Sequence, residues 1–62
     1  MISMDEAKKI AQSIYNDTIV IKTFEFKDFY VFQIDNKDYN GQITPGMPLI
    51  QVLKESGKYD IL

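Results

Sequence analysis

A chain of 62 residues, 45% apolar and 26% charged, is long enough for one domain spanning 1–62 and too short for two cores, and its composition is that of a folding sequence. The formal charge is −2, all seven cations are lysine, and there is neither His nor Cys, which excludes a disulfide framework and a Cys/His zinc site. It also leaves no basic stripe or arginine fork for nucleic acid.

Ser3-Met4-Asp5-Glu6 reads as a helix start. The Ser3 hydroxyl can accept from the amide three residues on, while Glu6 reaches back to the Ser3 amide, so the four residues form a capping box. Behind it Met4, Ala7, Ile10, Ala11 and Ile14 recur at helical spacing, with Lys8, Lys9, Gln12 and Ser13 opposite. The spacing predicts an amphipathic helix with one face for a sheet, ended at Asn16-Asp17, two residues that tolerate turn conformations.

Thr18 to Phe26 and Phe29 to Asp35 are dense in β-branched and aromatic residues, with only Lys27-Asp28 between them, and predict a hairpin. In the second strand Tyr30, Phe32 and Ile34 share one face and Phe29, Val31 and Gln33 the other. In the first strand Ile19 and Ile21 have one parity and Phe24 and Phe26 the opposite one. A bulge near Lys22 or Thr23, or else two buried faces, is therefore expected.

Asn36 to Pro48 is loop-forming, and its Asn40-Gly41 step is the signal of a tight type I′ turn at the tip of a small hairpin. Leu49 to Lys54 fits a strand returning through Glu55-Ser56-Gly57-Lys58 to a last strand at Tyr59 to Leu62. It also fits a short helix opened by Pro48 and closed by Gly57; the strand is the expectation. The fold class that follows is α+β, one N-terminal helix packed on a three- to four-stranded antiparallel sheet.

Catalytic chemistry fails on inventory: no His moves protons, no Cys attacks, no Arg clamps an anion. Ser3, Ser13 and Ser56 read as helix cap, polar helix face and turn, and nine scattered acids read as solvated charge. No catalytic residue, metal site or cofactor is expected. The loop at 35–41 offers Asp35, Asn36, Asp38 and Asn40 as oxygen donors before a Gly, the way a calcium loop begins. Asn36 stands where the leading Asp belongs and Met47 where the bidentate Glu belongs, so calcium or a small ligand is the alternative reading and an ordinary loop the first.

Aromatic residues are numerous for this length, and one helix covers one sheet face only. Phe29, Tyr30, Val31, Tyr39 and Tyr59 are the residues expected to contribute a partner-binding surface, in a homodimer or against another protein. No apolar run approaches the roughly 20 residues of a membrane-spanning helix. No secretory signal pattern opens the chain, and a cytoplasmic protein with no membrane partner is expected.

Three phrases carry a resemblance: Ile2-Ser3-Met4-Asp5-Glu6-Ala7-Lys8-Lys9-Ile10-Ala11, Phe29-Tyr30-Val31-Phe32, and Pro48-Leu49-Ile50-Gln51-Val52-Leu53-Lys54-Glu55-Ser56-Gly57-Lys58. Together they resemble small bacterial domains of the PepSY-like and toxin-immunity kind, which place one helix against an antiparallel sheet. The resemblance implies a module that binds or inhibits other proteins without catalysis, and it transfers no functional residue. Low Arg, no Trp and abundant Ile, Lys and Asn suggest a bacterial or phage source, for which a structural or accessory role is a further alternative.

Overall fold

Five elements form from these signals in the computed structural model, which describes residues 1–62: α1 (Met4–Ile14), β1 (Thr18–Glu25), β2 (Phe29–Asn36), β3 (Leu49–Leu53) and β4 (Tyr59–Ile61). The strands pair in the order β1-β2-β3-β4, antiparallel throughout. The α+β expectation holds with four strands, and the Leu49 segment is the strand rather than the helix.

The capping box forms as read. Glu6 N–H donates to Ser3 Oγ at 3.2 Å, and Ser3 N–H donates to Glu6 Oε1 at 3.3 Å, so amides left over at the helix start gain partners. At the other end Asp17 takes a left-handed conformation, φ 59°, reversing the chain into β1.

Ala7 and Ala11 are sealed from water and share one cluster with Tyr30, Phe32, Ile34, Ile50 and Val52. Having nothing beyond Cβ, the two alanines let α1 lie close to the middle of the sheet. Ile2, Ile10, Ile14, Val20 and Met47 close the margins. Met4, assigned by its spacing to the apolar face, is largely left outside this core. Phe32, Ile34, Ile50 and Val52 are fully buried, each contributing about 1.5–3 kcal/mol by removal from water.

The parity conflict in β1 is resolved by a bulge. Ile19 and Val20 pair with Asp35 and Ile34, but Lys22 then pairs with Gln33, leaving Ile21 as the extra residue. It sits one position earlier than expected. Beyond it Phe24 pairs with Val31, so Ile19 and Phe24 come to the same side of the sheet, the side away from α1. The hairpin closes with Phe26 N–H donating to Phe29 O at 2.9 Å.

One turn departs from expectation. A type I′ turn needs positive φ at both central residues. Gly41 has φ +106°, but Asp17 is the sole non-glycine residue at positive φ, so Asn40 does not qualify and no small hairpin forms there. The conformation of that loop is set from a distance, by Asp35.

Candidate interaction surface

The three serines are occupied with structure. Besides the Ser3 cap, Ser13 Oγ donates to Ile10 O at 2.7 Å and Ser56 Oγ accepts from Lys58 N–H at 3.2 Å. No group of three or more His, Cys, Asp or Glu side chains is arranged to hold a metal ion. The hollow over Asp17, Asn36, Lys37 and Asp38 is lined by no hydrophobic residue, unlike a small-molecule pocket, which is mostly apolar with a few placed polar groups.

Asp35, the first oxygen donor of the calcium alternative, is fully buried. Its Oδ2 accepts from the Thr44 amide at 2.9 Å, while Oδ1 accepts from the Thr44 hydroxyl at 2.7 Å and the Asn36 amide at 2.6 Å. The Asn36 side-chain amide donates to the same Thr44 hydroxyl at 3.2 Å. The carboxylate thus fastens the long β2–β3 loop back onto the strand that starts it. The Thr44 amide, then the Thr44 hydroxyl, hold its pKa below the ordinary value against the opposing effect of burial, with the Asn36 amide helping. Those oxygens are spent on closing the loop.

The side of the sheet away from α1 has a different character. Cross-strand pairing places Phe24, Val31, Gln51 and Asp60 in one row and Phe29 and Leu53 in the next. Phe26 stacks on Phe29 with ring centroids 4.8 Å apart. Phe24 is 38% exposed, Phe26 48%, and Leu49 and Leu53 are exposed as well. At about 200 Å² per phenylalanine, Phe24 and Phe26 alone leave roughly 170 Å² of residue surface in water. Lys22 lies over the Phe24 ring at 5.2 Å, and Lys58 and Asp60 mark the far margin through their pairing with Leu53 and Gln51.

The two sheet edges differ as well. At β1 the Val20 amide donates to Gln12 Oε1 at 3.2 Å, and the Ile21 bulge bends the same strand. Gln12, assigned by its spacing to the solvent side of α1, therefore guards an edge. At β4 all three residues are exposed, and no side chain covers the outward amides.

The five residues expected at a partner surface are dispersed. Phe29 and Val31 lie on the open side, Val31 covered by its neighbours to 8% exposure. Tyr30 faces α1 at 6% exposure, under Lys54, whose Nζ stands 4.9 Å from its ring centroid and 2.8 Å from Glu25 Oε2. Tyr39 is half-buried in the loop, its amide donating to Asn36 O. Tyr59 projects from β4 on the helix side, 51% exposed. Phe24, Phe26, Leu49 and Leu53 complete the open face and were not among the five residues expected at the partner surface. The signal for the two phenylalanines was the β1 parity conflict, since whatever bulge reconciled them with Ile19 had to give them a common side.

The element order, four-stranded meander and single covering helix describe the fold, and no helix is long and apolar enough to cross a membrane. No family model, curated protein or solved structure matches the chain.

Proposed function

We propose that this chain is a non-enzymatic protein-interaction module that works by self-association, the open sheet face of one copy docking on the same face of another. The observation that carries the reading is the apolar face on which Phe24, Phe26, Leu49 and Leu53 stand exposed around a half-buried Phe29, on the far side of a closed core. Contiguous apolar surface of this kind marks an interface, and sheets stack face to face by interdigitating such side chains about 10 Å apart.

A second copy is the occupant favoured by charge. The rim carries both signs, Lys22 and Lys58 with Asp60, which suits a partner of the same mixed composition better than a uniformly charged one. The inventory without His, Cys or Arg supports a role outside catalysis. The resemblance to immunity-like domains supports an inhibitory use of the same surface. The absence of cysteine is compatible with a cytoplasmic location.

Sedimentation velocity from micromolar to submillimolar concentration tests the reading. An assembly larger than one chain that Phe24→Lys shifts toward the single chain supports it. A single chain at every concentration overturns it. An assembly untouched by Phe24→Lys overturns the choice of face, and tight binding of a different protein to a persistent monomer overturns the choice of occupant.

A further inference from the structure

We infer that β4 is a second docking edge, joining two copies by antiparallel β4 to β4 pairing centred on Tyr59, with Lys58 of each copy opposite Asp60 of the other. The inference rests on the reading that the chain self-associates; Lys58 and Asp60 also stand at the rim of the open face, whereas the Tyr59 main-chain groups belong to the edge alone, so Tyr59→Pro and Phe24→Lys tell the two surfaces apart.

The backbone defines which groups are free. Leu53 N–H donates to Lys58 O and Leu62 N–H donates to Leu49 O, each at 2.8 Å, and between them Gln51 pairs with Asp60. The Lys58 carbonyl, Asp60 and the Leu62 amide therefore face β3, while the Lys58 amide is held within the turn by Ser56 Oγ. In an antiparallel ladder the direction alternates, so the N–H and C=O of Tyr59 and Ile61 point away from the sheet into solvent. A row of free main-chain groups on an edge is a template for another strand.

An added antiparallel β4 must set outward residues opposite one another, which leaves three registers. With Tyr59 opposite Ile61, Asp60 meets Asp60 at the narrow, non-hydrogen-bonded site, where Cα atoms lie about 4.5 Å apart and like charges repel. With Ile61 opposite Ile61, Asp60 meets Leu62 and gains no opposite charge. With Tyr59 opposite Tyr59, Lys58 meets Asp60 twice, once on each side of the two-fold axis. Charge selects the third register.

The side chains agree with it. Asp60 lies on the open side of the sheet through its pairing with Gln51, and Lys58, two residues before it with its carbonyl bonded to the Leu53 amide, continues that side just outside β4, while Tyr59 and Ile61 project on the helix side, 51% and 50% exposed. Pairing brings the two Tyr59 rings together where α1 leaves the margin of the sheet uncovered. The two-fold axis stands perpendicular to the sheet, so both helices lie on one side and both open faces on the other, in one eight-stranded sheet.

The test uses the whole chain and reads assembly mass by sedimentation, with circular dichroism checking the fold of each variant. Asp60→Lys and Lys58→Asp each turn two attractive pairs repulsive and should weaken assembly about tenfold or more. The double variant Lys58→Asp/Asp60→Lys restores the pairs and should return to within about threefold of the parent. Tyr59→Pro removes an amide that the single chain leaves to solvent, a position where an edge strand tolerates proline, and should abolish this pairing with the fold intact.

Single charge variants and Tyr59→Pro that leave the assembly unchanged, while Phe24→Lys dissociates it, overturn the edge and leave the face. Single variants that weaken assembly without rescue by the double variant overturn the register. Dissociation by Asp60→Lys with none by Phe24→Lys supports the edge and removes the face. A single chain throughout removes both.

Discussion

The two sides of this sheet are built from the same kinds of residue and end in opposite states. On one side Tyr30, Phe32, Ile34, Ile50 and Val52 meet Ala7 and Ala11 and exclude water. On the other, Phe24, Phe26, Phe29, Leu49 and Leu53 surround Val31 and stay partly wet. Composition does not separate them; one 11-residue helix does. A chain of this size has a single covering element, and where it lies decides which aromatic residues become core and which become surface.

That contrast is open to direct attack. Phe32→Ala empties the centre of the closed side and should cost about 3–5 kcal/mol, enough to unfold much of a marginal small domain; urea denaturation followed by circular dichroism measures it. On the open side Phe24→Ala, measured at concentrations where the chain is single, should cost under about 1.5 kcal/mol, because its ring is already partly in water. Equal losses from the two substitutions would mean that the open face is covered in solution by something within the same chain.

Ser3→Ala tests how much the closed side depends on the helix start. Loss of the cap should lower stability by about 1 kcal/mol without changing assembly through Phe24, read by urea denaturation and sedimentation on the same samples.

The smallest and most specific effect is pH dependence through Asp35. Its folded pKa is lowered by hydrogen bonds from the Thr44 amide and hydroxyl, so the ionised form favours the folded chain. The contribution is fully present above the unfolded-state pKa of about 3.9 and is lost as pH falls through the lower folded value. Asp35→Asn should flatten the acid limb of the stability curve while leaving the neutral region less stable than the parent. A parent and variant with parallel acid limbs would detach the loop from this carboxylate.

Local features were legible in the sequence because their causes are local. The Ser3-to-Glu6 cap spans three residues, and the hairpin through Lys27-Asp28 follows from two β-prone runs with nothing else between them. The bulge was legible because side-chain parity is a counting problem, although the count located it only to within a residue. Features created by distant contacts were hidden. Alternation showed that Tyr30 and Val31 point to opposite sides, but only the position of α1 says that Tyr30 is the residue beneath the helix.

Asn40-Gly41 was misread for the same reason. Its local preference for a primed turn is overridden by Thr44, nine residues beyond Asp35 and bonded to it by both amide and hydroxyl. An acid standing in a strand of otherwise apolar residues was the available clue, since a buried carboxylate must find donors. Gln12 gave no such clue, because a glutamine on a polar helix face is indistinguishable from one reaching over to a neighbouring strand.

The reach of Gln12 to the Val20 amide, next to the Ile21 bulge, has a consequence for growth. A sheet receptive on both flanks can add copies without limit and lengthen into a fibre. Here one outward amide of β1 is capped by Gln12 and the strand is bent at Ile21, so under the proposed β4 pairing β1 is the flank less suited to taking a further copy, and lengthening beyond a pair is disfavoured.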